Sequence, residues 1–263
     1  MREGQGMASI HPTAVVHASA QIGAGCEIGP FCVIEEQAVL GEGCKLSSHV
    51  VIGSHTVLGR ENEMFPFACI GQQSQDLKWK GGTTWLRVGD GNTFREYVTI
   101  HRATVDGNAT IVGSNNHILA YCHIAHDCRL GNHIIMSNVA TLAGHVTVED
   151  HAVVGGLAAV HQFCRIGRMS IIGGCSKVVQ DVPPFMLADG NPAETRTINK
   201  VGLERNGVTE EVQSSLRKAY KILFREGLTI PNALERIVDD LPSSPELQHL
   251  INFVRGSERG ISK

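Results

Sequence analysis

An aliphatic residue recurs at every sixth position over most of the first 178 residues. Before the first break these positions are Ile10, Val16, Ile22, Ile28, Ile34, Leu40, Leu46, Ile52, Leu58, Met64 and Ile70. The same phase runs without a break from Val112 to Val178, and between positions 10 and 178 the slot is apolar everywhere except at Asp76, Gly82 and Asp106. This period is typical of a parallel β-helix, in which each six residues form one short strand and one turn.

A second slot, four residues after each aliphatic residue, holds mostly small side chains. It contains six of the eight cysteines: Cys26, Cys32, Cys44, Cys122, Cys128 and Cys164. Stacked repeats bury both slots. We therefore predict that these thiols pack as small hydrophobic residues and form neither disulfides nor metal sites.

The period predicts three regions along the chain. Residues 1–9 are expected to be a flexible N-terminus, and residues 10–190 a parallel β-helix with excursions near 72–87 and 103–110. Residues 191–263 carry a helical pattern and are expected to form a small C-terminal α-helical domain. Within this region Thr209 and Ser244 are good N-terminal caps, the latter followed by Pro245 and Glu246.

Charge and hydropathy restrict the class of protein. The net charge is −3 and basic residues form no stripe, so nucleic acid is not an expected partner. No apolar run is long enough for a membrane span, and the first ten residues lack the apolar stretch of a signal peptide. We therefore expect a cytoplasmic protein without a membrane span.

Histidines are concentrated outside the two inward slots. Of the thirteen histidines, twelve lie in the repeat region, and none occupies an inward slot. If one coil has three six-residue sides, residues eighteen apart should stack. This rule places His126, Gly144 and Gln162 in one column on the outer surface, with the flanking imidazoles His123, His145 and His161 beside it.

Several stretches resemble one family of left-handed β-helix acyltransferases. "QDLK", "VTIHR", "HIAHDC", "NVATLAGHV", "GGLAAVHQFCRIG" and "QDVPPFMLADGNPA", in this order, are similar to bacterial UDP-N-acetylglucosamine O-acyltransferases. The resemblance implies a mainly β fold, a left-handed parallel β-helix of hexapeptide repeats with helices at its C-terminal end. It also implies transfer of a 3-hydroxyacyl group from acyl carrier protein to the 3-hydroxyl of UDP-N-acetylglucosamine, the first step of lipid A biosynthesis, by a homotrimer without a cofactor or metal.

The same resemblance assigns site residues. His126 is implied to be the general base, Asp127 to orient its ring, and Gly144 to offer a backbone N–H to the oxyanion. Residues implied to contact the substrate are Gln75, Asp76, Lys78, His101, His123, His145, His161, Gln162, Asn199 and Arg205. Asp76 and Lys78 are expected to reach the groove of a neighbouring subunit. Gly174 is implied to set the length of the acyl groove, and glycine there should admit a long chain.

Some alternatives remain open from the sequence. The tail reads "NKVGLERNG", so Val201 and Asn206 depart from the family's usual residues near the nucleotide. The acceptor could accordingly be a 3-amino analogue of the sugar nucleotide. A zinc-dependent carbonic anhydrase of the same fold would use His117, His123 and His126 as ligands. A related N-acyltransferase is disfavoured because the repeat begins at Ile10, and a purely structural solenoid leaves the histidine column without a purpose.

Overall fold

The structure is a computed structural model that describes residues 6–263. Most of the flexible N-terminus predicted for residues 1–9 therefore lies outside the described residues. Short strands occupy the region of the six-residue repeat, and helices follow it. The predicted fold class is confirmed.

The strands follow the repeat closely, and most are two residues long. Those before the first excursion are β1 (Ser9–Ile10), β2 (Val15–Val16), β3 (Gln21–Ile22), β4 (Glu27–Ile28), β5 (Val33–Ile34), β6 (Val39–Leu40), β7 (Lys45–Leu46), β8 (Val51–Ile52), β9 (Thr56–Leu58), β10 (Glu63–Met64) and β11 (Cys69–Gln72). Those between the excursions are β12 (Trp85–Val88), β13 (Thr93–Phe94) and β14 (Thr99–His101). Those after the second excursion are β15 (Ala109–Val112), β16 (His117–Ile118), β17 (His123–Ile124), β18 (Arg129–Leu130), β19 (Ile135–Met136), β20 (Thr141–Leu142), β21 (Thr147–Val148), β22 (Val153–Val154), β23 (Ala159–Val160), β24 (Arg165–Ile166), β25 (Ile171–Ile172), β26 (Lys177–Val178), β27 (Met186–Gly190) and β28 (Ala193–Ile198).

Every third strand pairs in parallel, so the strands build three walls of a prism. One wall begins β1-β4-β7, the second β2-β5-β8 and the third β3-β6-β9. In the regular coils the register advances by eighteen residues, as when Ser9 pairs with Glu27. The corners between walls need a left-handed residue, and Asp127 (φ 60°) and His145 (φ 61°) supply it without glycine.

The aliphatic repeat keeps the same phase across the two excursions. Glu63 pairs with Thr93, thirty residues later, so the first excursion adds twelve residues to a coil. Thr93 pairs with His117, twenty-four residues later, so the second adds six. Both insertions are whole multiples of the repeat, which explains why the aliphatic phase survives them.

The interior consists of the two slots that the sequence predicts to be buried. The six cysteines of the small slot are fully buried, as predicted, and all eight cysteines are free thiols. Burial raises the pKa of the Cys122 thiol to about 11 and that of Cys128 to about 12. These two thiols are therefore packing groups that stay protonated near neutral pH.

Four helices follow the strands: α1 (Lys200–Arg205), α2 (Glu210–Phe224), α3 (Ile230–Asp240) and α4 (Pro245–Arg255). They share a second core, to which Met169, Phe185, Met186 and Ile198 of the preceding segments also contribute. As the sequence indicates, α2 starts after Thr209 and α4 after Ser244, whose side chain accepts the Leu247 N–H at 3.1 Å. None of the helices in residues 6–263 is long and apolar enough to cross a bilayer.

A β-hairpin joins the prism to the helices. Its first strand, β27, extends one wall by pairing with β25, and β28 pairs antiparallel to β27. The boundary that the sequence suggests at 191 falls inside this hairpin, and the helices begin at Lys200. The six-residue period ends before the first helix because the antiparallel hairpin that precedes the helix does not follow the coil.

Candidate active site

His126 and Asp127 form a hydrogen-bonded pair at the corner between β17 and β18. His126 Nδ1 lies 2.9 Å from Asp127 Oδ2, and the two side chains are only 14% and 9% exposed. The Asp127 N–H donates to Thr110 Oγ1 at 2.8 Å, which holds the corner in place. A carboxylate at Nδ1 favours the tautomer whose Nε2 carries the lone pair. Nε2 is therefore the basic atom of the site.

Asp76 approaches His126 from the first excursion. Its Oδ2 lies 3.9 Å from Nε2 of His126 in the same chain, whereas the sequence suggested that it reaches a neighbouring subunit. Asp76 Oδ1 accepts the Lys78 N–H at 2.9 Å, so a local turn fixes the carboxylate. The imidazole thus lies between two carboxylates.

Gly144 stacks directly on the imidazole. A Cβ atom built on Gly144 would lie 2.5 Å from Cε1 and 2.7 Å from Nε2 of His126. The predicted stacking of positions 126 and 144 is confirmed, and it requires glycine at 144. The column continues, because the carbonyl of Gly144 accepts the N–H of Phe163 at 3.2 Å.

His145 and Phe163 form the next side of the site. The His145 ring lies perpendicular to that of His126, with centroids 5.3 Å apart, and its Nε2 is 3.8 Å from Asp127 Oδ2. Phe163 stacks on His145 at 4.6 Å. Phe163 was not among the residues predicted from the sequence, although it lies eighteen residues after His145 and the stacking rule identifies it.

His123 and His101 form a second imidazole pair beside the first. The Thr99 hydroxyl lies 2.7 Å from His123 Nδ1, and the His101 ring meets the His123 ring edge-on at 5.0 Å. Burial, reinforced by the imidazoles of His123 and His126, lowers the pKa of His101 to about 4. Burial also lowers the pKa of His123. Both rings are therefore neutral near pH 7.

This buried imidazole predicts a loss of stability in acid. The folded pKa of His101 lies below its ordinary value of 6.5, so between pH 6.5 and about 4 the unfolded chain binds more protons than the folded one. We expect the free energy of unfolding to fall over this range, by at most about 3 kcal/mol from His101. Denaturant unfolding of His101→Leu beside the unmodified protein checks this, since the variant should show a shallower pH slope. Equal slopes would contradict it.

Most of the other predicted residues are exposed to solvent, and one is buried. Gln75 and Lys78 are exposed on the first excursion, and His161 and Gln162 are exposed at the next corner of the column. Asn199 is buried, donates to the Met169 carbonyl at 2.8 Å and caps α1 by accepting the Gly202 N–H. Arg205 is exposed in the last turn of α1.

The positions of the histidines can be compared with the zinc site that the carbonic anhydrase alternative requires. His117 belongs to β16 and His123 to β17, which lie in different walls. Among residues 6–263, the group whose possible ligand atoms lie within 4.8 Å of one another is His126, Asp127 and His145. This group differs from the trio that the carbonic anhydrase alternative requires, and its closest contact is that of a base with an orienting carboxylate.

The chain is similar to known proteins over almost its whole length. Residues 181–262 match the family described as UDP N-acetylglucosamine O-acyltransferase, domain 2. Proteins named acyl-(acyl-carrier-protein)–UDP-N-acetylglucosamine O-acyltransferase include one from Burkholderia lata, 47% identical over 260 residues (97% of this chain and 99% of that protein). Another, from Halorhodospira halophila, is 45% identical over 256 residues (97% and 99%).

Solved structures agree with these sequences. LpxA from Acinetobacter baumannii superposes with a TM-score of 0.94 at 46% identity, covering 97% of this chain and 99% of that one. A UDP-N-acetylglucosamine acyltransferase from Bacteroides fragilis gives a TM-score of 0.94 at 38% identity, covering 97% and 100%. Together with the stacked column at His126, these likenesses show that the chain belongs to the UDP-N-acetylglucosamine O-acyltransferase family.

Proposed function

We propose that this protein transfers a 3-hydroxyacyl group from acyl carrier protein to the 3-hydroxyl of UDP-N-acetylglucosamine, the first step of lipid A biosynthesis. The observation that carries the proposal is the His126–Asp127 pair with Gly144 against the ring. It occurs in a chain that is 45–47% identical, over 97% of its length, to proteins named for this reaction.

In the proposed reaction, His126 Nε2 accepts the proton of the sugar hydroxyl as its oxygen attacks the thioester carbonyl. The C–O bond forms, and the carbonyl oxygen takes the negative charge of a tetrahedral intermediate. That intermediate collapses, the C–S bond breaks, and the imidazolium returns its proton to the leaving sulfur. Asp127 at 2.9 Å and Asp76 at 3.9 Å stabilise the imidazolium. General-base assistance of this kind contributes roughly 10²- to 10⁴-fold.

We assign Gly144 to the developing oxyanion. Glycine lets the backbone come close to the reacting carbonyl, and the ring of His126 lies against the same residue. Base and donor are therefore neighbours, as the transition state requires, because the attacking oxygen and the carbonyl oxygen are bonded to the same carbon.

The remaining assignments concern substrate binding. We assign the sugar nucleotide to the polar side chains along the column and the first excursion: Gln75, Asp76, Lys78, His101, His123, His145, His161 and Gln162. The Arg205 guanidinium suits a diphosphate. The Asn199 amide is engaged with Met169 and Gly202, so we assign it to holding the helix that carries Arg205.

A trimer is the assembly that we propose. The site lies on an outer edge of the prism, where a neighbouring copy would cover the substrate. Another edge carries an exposed ladder of stacked rings formed by Phe31, His49, Phe67, Tyr97 and Tyr121, with centroids 4.8–5.0 Å apart. Such a ladder is suited to packing between copies. With eight free thiols in the chain, we propose that this assembly works in the cytoplasm.

An acyl-transfer assay tests the proposed function. The purified protein is given 3-hydroxyacyl carrier protein with either UDP-N-acetylglucosamine or its 3-amino analogue. We expect an ester that mild base cleaves from the first acceptor. Faster formation of a base-stable amide from the second would show that the amino sugar is the true acceptor. Stoichiometric zinc together with carbon dioxide hydration, without acyl transfer, would support the carbonic anhydrase alternative.

We propose that the residue at position 174 sets the length of the acyl groove. Gly174 lies in a strip without side chains, where a Cβ at 174 would come within 3.3 Å of the Gly156 carbonyl and one at 156 within 3.2 Å of the Asn138 carbonyl. We expect the unmodified protein to accept long 3-hydroxyacyl chains. Gly174→Met should shift the preference towards shorter donors by about tenfold or more in kcat/KM. A strong preference of the unmodified protein for medium chains would contradict the assignment.

A further inference from the structure

The two excursions pack on each other beside His126. The Thr83 N–H donates to Asp106 Oδ1 at 2.7 Å, and the Gly107 N–H donates to the Thr83 carbonyl at 2.8 Å. Between them the Ser74 and Thr104 hydroxyls lie 2.7 Å apart, and the two residues are only 5% and 7% exposed. The two excursions contain all three positions that break the aliphatic period, Asp76, Gly82 and Asp106.

The two residues of this hydroxyl pair are also bonded to the two acids that flank the imidazole. The Thr104 backbone N–H donates to Asp127 Oδ2 at 3.1 Å, and this is the oxygen that holds His126 Nδ1. On the other side, the Asp76 backbone N–H donates to Ser74 Oγ at 3.2 Å. The pair therefore joins the backbone of Asp76 to the residue whose backbone holds the Asp127 carboxylate.

We propose that Ser74 and Thr104 are positioning residues for the acyl transfer, setting the placement of Asp76 and Asp127 around His126. The inference rests on the proposed function. A buried hydroxyl pair is costly to leave unsatisfied, so it fixes the distance between the two excursions. Displacing a reacting group by about 1 Å can cost on the order of 10²-fold in rate, and smaller movements cost less.

Removing the Thr104 hydroxyl tests the proposal. Thr104→Val keeps the side-chain shape and the backbone N–H but breaks the pair, and we expect kcat to fall about tenfold. Thr104→Ser keeps the hydroxyl and should retain nearly full activity. The matched control is Thr195→Val, because Thr195 and Ser262 form a similar buried hydroxyl pair at 2.9 Å in the C-terminal part of the chain. This control should act like the unmodified protein.

The rate per folded enzyme separates positioning from loss of folded protein. Ser74 and Thr104 are bonded to the Asp76 backbone and to the Asp127 carboxylate, and both acids lie beside His126. With the folded fraction measured by circular dichroism, kcat per folded enzyme should therefore fall in Thr104→Val, recover in Thr104→Ser and stay unchanged in Thr195→Val. A smaller amount of folded enzyme would lower the observed rate without changing kcat per folded enzyme.

Ser74→Ala removes the other hydroxyl of the pair. It tests the same proposal if Thr104→Val does not fold. Because Thr104→Val and Ser74→Ala break the same hydrogen bond, the double variant should lose no more kcat than the more impaired single variant. Additive losses, a Thr104→Ser variant as impaired as Thr104→Val, or variants with the kcat per folded enzyme of the unmodified protein would overturn the inference alone. Absence of acyl transfer by the unmodified protein would overturn the proposed function, and the inference with it.

Discussion

His126→Ala is expected to lower kcat for acyl transfer by about 10²- to 10⁴-fold, while KM for the sugar nucleotide changes little. The substitution removes an imidazole whose Nδ1 lies 2.9 Å from the Asp127 carboxylate and whose Nε2 lies 3.9 Å from the Asp76 carboxylate. Steady-state rates with 3-hydroxyacyl carrier protein and UDP-N-acetylglucosamine measure the effect.

The control for this prediction is a histidine from another edge. His133 stacks on His151 with centroids 4.8 Å apart, at a corner between different walls. His133→Ala should therefore keep the activity of the unmodified protein and report any general effect of removing a stacked imidazole. If His126→Ala remained within about threefold of the unmodified protein, general-base catalysis by His126 would be refuted.

Gly144→Ala is expected to cost on the order of 10²-fold in kcat. The added methyl group would lie 2.5 Å from Cε1 of His126, so the imidazole must leave its place against the backbone. The ring is the flexible partner in this contact, and the thermal unfolding midpoint should consequently change much less than the rate.

A double variant shows whether Gly144→Ala acts through the imidazole. If the methyl group only displaces His126, adding it to His126→Ala should cause little further loss. A large further loss would mean that position 144 contributes separately, as expected for a donor to the oxyanion. Full activity of the single variant Gly144→Ala would contradict both roles.

Much of the fold follows from the regular spacing of residues along the sequence. An aliphatic residue every sixth position and a small residue four places later define which side chains face the interior, and both slots are buried as expected in the repeats from Cys26 to Ile70 and from Val112 to Val178. The stacking rule also brings His126 against Gly144 and His145 against Phe163. These contacts follow from a fixed repeat, so counting residues is enough to predict them.

The excursions follow this rule only in part. Ser74 and Thr104 lie in the small slot and are thirty residues apart, like the paired Ile70 and Ile100. The distance of 3.9 Å between Asp76 and His126, in contrast, depends on how the non-repetitive part of the first excursion folds over one corner. His101 likewise reads as an outward residue, yet the structure buries it to 5% exposure.

The sequence by itself determined the prism, its buried slots and the column that carries the proposed base. Only the tertiary structure decided which groups surround that base, because their contacts join distant segments whose geometry is fixed by mutual packing rather than by the six-residue period.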